Sequence, residues 1–327
     1  MSAVRPLRFL VLLFASFLSA MTSAGSPATM NSAVPLPASL SGLFPVVRVQ
    51  SVTLPRGDLA DVYALDIPPR LRHRFTDAFP LVAVLQGALV DKSHYQRLGR
   101  LLAAQGFVVV IPNHLRTLPG FPVAVALTDV NVVTDVLTAI SAADADRAST
   151  LYRIVDTNHM GLVGHSLGGS VGLYAVAGLC VPTICDGTYQ RPASLQAAAF
   201  YGTNLANNDG TVTDLDTSGV AVALVQGSRD GVAVPEEADL SYPTLEFPRA
   251  LITIEGANHF AICDEDNPVG ANPDPNAPTL DQDLATAYVA RWTGLWLRMQ
   301  LKDDPLARQW IDRIGGSLDG VVQVFTD

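Results

Sequence analysis

The segment GHSLGG at residues 164–169 constrains the fold of this chain more than any other feature of its sequence. It follows the apolar stretch Met160 to Val163 and leads into the helical pattern SVGLYAVAGL. Glycines two positions before and after a serine, between a strand and a helix, predict a sharp turn with a strained serine backbone. We expect the Ser166 hydroxyl to be exposed where the strand ends, beside a helix N-terminus that favours negative charge. The alternative is a chance match in a glycine-rich loop.

A nucleophilic serine needs a general base, and His259 is the candidate. In proteins with this serine turn, the catalytic residues follow the chain order serine, acid, histidine, and His259 is the only histidine after Ser166. It lies just after the apolar run ALITI, where a loop at a strand end would carry an imidazole over the serine. An ordinary surface-loop histidine is the alternative.

The acid that orients the histidine has several candidates between Ser166 and His259. They are Asp186, Asp209, Asp214, Asp216, Asp230, Glu236, Glu237, Asp239 and Glu246. We favour Asp230, because it alone follows a long strand of buried type, GVAVALVQG, after a short turn. A carboxylate there would accept the imidazole N–H, fix the tautomer and stabilise the imidazolium. The alternative is an ordinary turn aspartate.

Acyl transfer also needs hydrogen-bond donors for the oxyanion of the tetrahedral intermediate. The backbone N–H of Leu167, the residue after the nucleophile, is one expected donor. The loop after the predicted strand LVAVL supplies the second, which we assign to the N–H of Ala88. Gly87 would then let the backbone approach the substrate, unless it is an ordinary glycine between a strand and a loop. His165 and Tyr201 are further candidates for lining the substrate pocket.

Four segments together resemble secreted α/β-hydrolases of the cutinase-like polyesterase, chlorophyllase and platelet-activating-factor acetylhydrolase group. They are VAVLQGALVDKSHYQRLGRLLAAQGFVVVIPNH, GLVGHSLGGS, VQGSRDGVAVP and IEGANHFA, and the likeness extends from about residue 46 to residue 301. The resemblance implies Ser166 as nucleophile, Asp230 as acid and His259 as base. It also implies the amides of Ala88 and Leu167 as oxyanion donors. Polyesterases of this group carry an aromatic residue at the position of Ala88 and usually a methionine at that of Leu167.

The remaining apolar pattern predicts an α/β fold with a mostly parallel, doubly wound, eight-stranded sheet and helices on both faces. VVRVQSVTL and VYALDI suggest an opening antiparallel pair. VAVLQ, FVVVIP, HMGLVG, LQAAAFYG, VAVALVQG and ALITIEG are nearly continuous apolar runs, as expected of strands buried on both faces. In the last predicted helix, Trp292 and Trp296 are four residues apart and are expected to pack in the core.

The first 24 residues have the pattern of a secretory signal peptide. Arg5 and Arg8 precede an apolar run over residues 9–20, and Thr22-Ser23-Ala24 forms a small-residue cleavage site. The run is short for a bilayer span, and a retained membrane anchor is the alternative. We expect residues 25–45 to form an extended arm and residues 46–327 to form a single catalytic domain.

The charge of the chain restricts its partners. Its formal net charge is −10 at pH 7, and it has no cluster of lysine and arginine. This balance argues against nucleic acid or an anionic membrane surface as a partner. We expect an ester substrate and no stable membrane anchor after signal cleavage, while the oligomeric state stays open.

Three cysteines and one acidic loop complete the sequence features. Because Cys180 should lie far from the serine along the following helix and Cys263 near it, Cys180 and Cys185 form the more plausible disulfide. Cys263 as the nucleophile is disfavoured, since the serine turn already holds Ser166. The segment at residues 264–283 has oxygen ligands suitable for calcium, but a solvated proline-rich loop bordering the active site is the favoured interpretation.

Together these features predict a secreted serine carboxylic ester hydrolase that acts through an acyl-enzyme on short- to medium-chain or polyester-type esters. This chemistry requires neither metal nor organic cofactor. A lipase or acetylhydrolase acting on phospholipid-like esters is the alternative within enzymes. A peptidase or thioesterase would use the same triad. From another class, the fold could serve as a non-catalytic binding domain.

Overall fold

The computed structural model of the chain describes residues 45–117, 123–207, 209–314 and 319–327. The predicted signal peptide at residues 1–24 and all but the last residue of the predicted arm at residues 25–45 lie outside the described residues.

The described strands make one large sheet and a small hairpin. The strands are β1 (Val46–Thr53), β2 (Leu59–Leu65), β3 (Phe79–Leu85), β4 (Val108–Asn113), β5 (Leu115–Arg116), β6 (Val125–Ala126), β7 (Val155–His165), β8 (Leu195–Tyr201), β9 (Ala221–Gly227), β10 (Arg249–Ile254) and β11 (Val322–Thr326). Every residue of β3 and β9 is buried, which explains why, apart from Gln226, these strands are apolar without alternation.

The helices connect these strands. They are α1 (Gln96–Ala104), α2 (Asn131–Ala145), α3 (Leu167–Val176), α4 (Pro235–Ser241), α5 (Gln282–Lys302) and α6 (Pro305–Gln309), with short 3₁₀ turns at Pro69–Arg74, Lys92–Tyr95 and Tyr242–Thr244 and a π-helical turn at Trp310–Ile314. The longest helix, α5, begins where the Asp281 carboxylate accepts from the N–H groups of Asp283 and Leu284. It ends at Asp303, which has a left-handed backbone conformation with φ of 47°.

The large sheet has nine strands in the described part of the chain, in the order β1-β2-β4-β3-β7-β8-β9-β10-β11. The six strands from β4 to β10 in this order are parallel, whereas β1, β2 and β11 pair antiparallel with their neighbours. The prediction of an α/β fold with a mostly parallel sheet and an opening antiparallel pair is confirmed. The predicted number of eight strands is wrong, because β11 adds an edge strand beside β10.

Helices cover both faces of the sheet, and each face has its own apolar core. On one face α2 and α3 pack through residues such as Val136 and Val171. On the other face α1 and α5 pack through residues such as Leu102, Trp292 and Trp296. Both tryptophans are fully buried, as the sequence predicted.

The predicted disulfide is present between Cys180 and Cys185. Its loop is tied to the element after β4, because Arg116 donates to the Thr183 carbonyl at 2.5 Å and to the Asp186 carboxylate at 3.1 Å. Cys263 is a free, buried thiol, so it cannot link two chains in this fold. None of the helices in the described residues is long and apolar enough to cross a membrane.

Candidate active site

Because β3, β7, β8, β9 and β10 are parallel, the segments after them meet at one end of the sheet, called here the carboxyl end. Ala88 follows β3, Ser166 follows β7 and Gly202 follows β8. Asp230 comes three residues after β9, and His259 comes five residues after β10. The fold therefore brings the predicted site residues to the same end of the sheet.

Ser166 occupies a strained turn between β7 and α3. Its backbone has φ of 53° and ψ of −122°, a conformation that residues other than glycine rarely adopt. The surrounding backbone holds it there, because its N–H donates to the Tyr201 carbonyl at 2.9 Å and its carbonyl accepts from the amides of Gly169 and Ser170.

Close backbone approach explains the glycines on either side of the serine. A Cβ on Gly164 would lie 2.5 Å from the Gly168 carbonyl oxygen. A Cβ on Gly168 would lie 2.3 Å from the Leu85 carbonyl oxygen at the end of β3. Neither side chain could be accommodated without moving the turn, so the predicted need for small residues at both positions is confirmed.

Asp230 and His259 form a buried, oriented pair. Nδ1 of His259 lies 2.8 Å from Oδ2 of Asp230 and 3.0 Å from Oδ1. Both residues are almost completely buried. Oδ1 also accepts from the backbone N–H groups of Val232 at 2.9 Å and Ala233 at 2.8 Å, which fixes the plane of the carboxylate. The charged carboxylate holds the imidazole with the Nδ1 proton facing it.

Gly202 makes room for this pair, a role that the sequence analysis missed. It has a left-handed backbone with φ of 59°. A Cβ at this position would lie 2.9 Å from both Asp230 Oδ2 and His259 Nδ1. A glycine directly after a buried strand was the available signal, but it does not by itself distinguish a space requirement from an ordinary turn.

Among the described residues, no hydrogen bond is formed by the Ser166 hydroxyl or by Nε2 of His259, whose ring bonds only through Nδ1. Thus the structure joins Asp230 to His259 directly, but it does not join His259 to Ser166 by a hydrogen bond. Serine–histidine contacts are often long without substrate and shorten when substrate binds. The two unpaired groups are therefore free to serve as nucleophile and base.

The two predicted oxyanion donors are also unpaired. Within the described residues, the N–H of Ala88 donates to no backbone or side-chain acceptor, although its neighbour Leu89 donates to Ala126 at 2.7 Å. The N–H of Leu167 is the first of α3, a position that has no intrahelical acceptor. Backbone N–H groups in this state can bind a developing negative charge.

His165 lies beneath the site and is not a pocket residue. It is fully buried. Its Nε2 lies 2.9 Å from the His259 carbonyl oxygen, and its Nδ1 lies 2.9 Å from the hydroxyl of Tyr95. The Tyr95 hydroxyl in turn accepts from the Gly87 N–H at 2.9 Å. The chain of bonds links the loop of the predicted oxyanion donor, the serine turn and the histidine loop.

Tyr201 and Gly87, the other two pocket candidates, are also buried and do not line a pocket. The Tyr201 side chain is buried, and its hydroxyl donates to the Asn258 carbonyl at 2.5 Å, so it supports the histidine loop from below. Gly87 is also buried, and a Cβ there would lie 2.7 Å from His165 Nδ1. Its missing side chain therefore makes room for His165 and not for the substrate. The local sequence does not indicate that a polar side chain, such as that of His165 or Tyr201, is buried in the core.

The bonds of His165 define its protonation. A carbonyl oxygen can only accept a hydrogen bond. Nε2 of His165 therefore carries a proton, which it donates to the backbone carbonyl oxygen of His259. Nδ1 is then the acceptor for the Tyr95 hydroxyl. Burial, together with the nearby His259, lowers the pKa of His165 well below its ordinary value of 6.5. Burial raises the pKa of Tyr95 well above its ordinary value, which keeps the phenol as the donor.

We expect this buried neutral histidine to make the fold sensitive to acid. Below pH 6.5 the unfolded chain binds a proton at His165 and the folded chain does not, so stability falls as the pH falls. Between pH 7.5 and 5.5 this residue alone should remove up to about 1.4 kcal/mol of unfolding free energy. Urea unfolding at both pH values would measure the loss, which His165→Gln should eliminate. The exposed His73→Gln serves as control, and equal pH dependence in His165→Gln and wild type would contradict the assignment.

Cys263 belongs to this buried layer. Burial raises the pKa of its thiol well above the ordinary value, followed by the repulsion of nearby carboxylates such as that of Asp264. A thiol of this kind is a poor nucleophile at neutral pH. The structure thus gives Cys263 the properties of a core residue, whereas Ser166 is only half-buried.

The acidic segment at residues 264–283 uses its carboxylates within the fold. Asp264 accepts from the N–H groups of Gln96 and Arg97, and Asp266 accepts from the side-chain amide of Asn258 at 2.9 Å. Asp281 begins α5. In the described part of the chain, no three histidine, cysteine or acidic side chains are grouped so that they could hold a metal ion. The carboxylates of this segment thus hold it against the loop that carries His259.

Comparison with known proteins finds no match for this chain, either among models of protein families or among curated proteins.

Proposed function

We propose that this chain is an exported serine carboxylic ester hydrolase with an α/β-hydrolase fold. The observation that carries the proposal is a pair of arrangements at one end of the sheet. Ser166 sits in a strained turn at the start of α3, and the oriented Asp230–His259 pair follows β9 and β10. A buried carboxylate–imidazole pair and a half-buried serine at the same end of the sheet are the groups that general-base activation of a hydroxyl requires.

In the proposed mechanism, Nε2 of His259 takes the proton of the Ser166 hydroxyl while its oxygen attacks the ester carbonyl. The resulting oxyanion is bound by the N–H groups of Ala88 and Leu167. Collapse of the intermediate breaks the bond to the alcohol, which leaves with the proton from His259. Water then attacks the acyl-enzyme, again losing a proton to His259, and the acid is released from Ser166.

The side chains at and beside the proposed oxyanion donors favour an ester with a small or aliphatic acyl group. Ala88 carries only a methyl group, and the half-buried side chains of Leu89 and Leu167 are aliphatic. Short- to medium-chain esters and aliphatic polyesters fit this chemistry. Export is supported by the Cys180–Cys185 disulfide, since such bonds persist in oxidising compartments.

Two measurements on the purified wild-type chain test the proposal. It should hydrolyse p-nitrophenyl esters, with a rate that declines from short to long chains between acetate and palmitate. A fluorophosphonate should add one phosphonyl group per chain, and peptide mass spectrometry should locate that group on Ser166.

Other outcomes select among the alternatives. A maximum with long chains, or with phospholipid-like esters, would replace the esterase by a lipase or acetylhydrolase. A folded chain that neither hydrolyses any of these esters nor reacts with the phosphonate would overturn the proposal in favour of a binding domain.

A further inference from the structure

Asp274, in the segment that follows the histidine, contacts the loops that carry His259 and Asp230 but takes no part in the proposed proton transfer. It lies fifteen residues after His259, and the residue is only 7% exposed. Among the described residues its carboxylate has no arginine, lysine or histidine partner. Instead it is held by backbone N–H groups, which are the donors that best compensate a buried anion without an ion pair.

Two of these donors belong to the loops that carry the Asp230–His259 pair. Oδ2 of Asp274 accepts from the backbone N–H of His259 at 2.7 Å. The N–H of Gly231, the residue after Asp230, points between the two oxygens of Asp274, at 3.1 and 3.3 Å. A single carboxylate therefore spans the loop after β9 and the loop after β10.

The position of Asp274 is itself fixed by its own segment. Its Oδ1 accepts from the N–H of Asn276 at 2.7 Å, and its N–H donates to the side-chain carbonyl of Asn267 at 2.7 Å. The side-chain amide of Asn258 donates to the Asn276 carbonyl at 3.1 Å, which closes the segment onto the histidine loop. These hydrogen bonds fix the position of the Asp274 carboxylate.

Gly231 provides a second, independent sign that this approach is built into the fold. A Cβ at Gly231 would lie 2.7 Å from Asp274 Oδ1, from Asn276 Nδ2 and from Pro275 Cγ. The backbone of Gly231 is not left-handed, so the glycine is not needed for its conformation. It is needed because the segment of Asp274 packs directly against it.

We propose that Asp274 is a positioning residue that keeps His259 and Asp230 in the relative position that proton transfer requires. The inference rests on the proposed function, because it assigns Asp274 a role through His259. Both carboxylate oxygens of Asp274 accept from backbone N–H groups. In Asp274→Asn, an NH₂ group replaces one of these oxygens and would face a backbone N–H, which is also a donor. That loop would shift, and a shift of about 1 Å in a reacting group lowers a rate about 100-fold.

The variant Asp274→Asn tests the role through kcat and KM on p-nitrophenyl butyrate. We expect kcat to fall about 10- to 100-fold and KM to change less than about 3-fold, because the imidazole is misplaced and the acyl pocket is not. Gly231→Ala should act in the same direction. The double variant should be no worse than the poorer single variant, because both changes break the same contact.

A background without the base separates positioning from a general loss of structure. In His259→Ala, the residual hydrolysis no longer depends on the imidazole, so adding Asp274→Asn should leave it unchanged. Glu265→Gln is the matched control, because it removes one charge from the same segment at a side chain that is 55% exposed and paired with His94. This control should stay within about 2-fold of wild type.

The outcomes are distinct. An unchanged kcat in Asp274→Asn would overturn the role of Asp274 while leaving the esterase proposal intact. The same holds if Asp274→Asn lowers kcat in the His259→Ala background by the same factor as in wild type. A wild-type chain that is inert to both esters and fluorophosphonate would instead overturn the proposed function itself. Thermal unfolding of each variant identifies any that fails to fold, and Gly231→Ala then carries the test.

Discussion

Ser166→Ala is expected to lower kcat for p-nitrophenyl butyrate by about 10⁴- to 10⁶-fold while the chain remains folded. The large effect follows from the loss of the only atom that forms the acyl-enzyme. The strain of the turn should remain, because alanine also has a Cβ, and no hydrogen bond is lost, because Ser166 Oγ makes none with the described residues. Stability should therefore be close to that of wild type.

The measurement is a progress curve at high enzyme concentration, with thermal unfolding as the test of folding. Ser170→Ala is the matched control, because it removes a hydroxyl one turn further along α3. That hydroxyl bonds to Thr203 Oγ1 at 2.9 Å. We expect the control to retain activity. If Ser166→Ala were as active as wild type, the serine mechanism would be refuted.

Asp230→Asn should produce the second-largest loss, about 10⁴-fold in kcat. The reason lies in the bonds of the carboxylate. Oδ1 accepts from the N–H groups of Val232 and Ala233, so the amide oxygen of the variant will take that place. The amide N–H₂ is then left facing His259 Nδ1, where it favours the tautomer with its proton on Nε2. In that tautomer the histidine cannot take the proton of Ser166.

Asp239→Asn controls for the removal of a carboxylate, because Asp239 is an exposed residue of α4. The pH dependence of kcat/KM for wild type and both variants gives the comparison. A wild-type-like rate for Asp230→Asn would show that His259 does not depend on this partner. The acid would then have to be sought among the other carboxylates between Ser166 and His259.

The parts of the fold set by local sequence could be predicted. Strand β9 is apolar from Ala221 to Val225 and ends in Gln226 and Gly227, and α5 repeats apolar residues with helical spacing; both lie where their patterns indicate. The ninth strand was missed because β11 is a short edge strand that alternates between buried and exposed residues. It is defined by pairing with β10, about seventy residues away in the chain. Such a pairing is not recorded in the strand's own composition.

In the candidate site, too, some features could be predicted from local sequence, whereas others depend on contacts between distant segments. Ser166 could be located because its glycines are a local steric requirement, and Asp230 because it follows a buried strand. The contact between Asp230 and His259 is an observation of the structure. The catalytic roles of these residues stay predictions. His165 shows the limit, since a histidine beside a serine in sequence gives no sign that its ring turns into the core.

Asp274 shows the same limit for the outer support of the site. In sequence it is one of several acidic residues in a proline-rich loop, and solvent was the simplest surrounding for it. Its burial depends on Gly231, forty-three residues earlier in the chain, being small enough to be approached. Contacts of this length are a property of the assembled fold.

Strand β11 places the last residues of the chain beside the strand that leads to the histidine. Ile254, the final residue of β10, lies opposite Val322, and the N–H of Glu255 donates to the Val321 carbonyl at 2.7 Å. Without β11, the backbone of β10 would become an open edge available to another chain. Deletion of β11 would therefore do more than remove one edge strand. It would loosen the support of His259 and, at the same time, create a surface for aggregation, so loss of activity and loss of solubility should occur together.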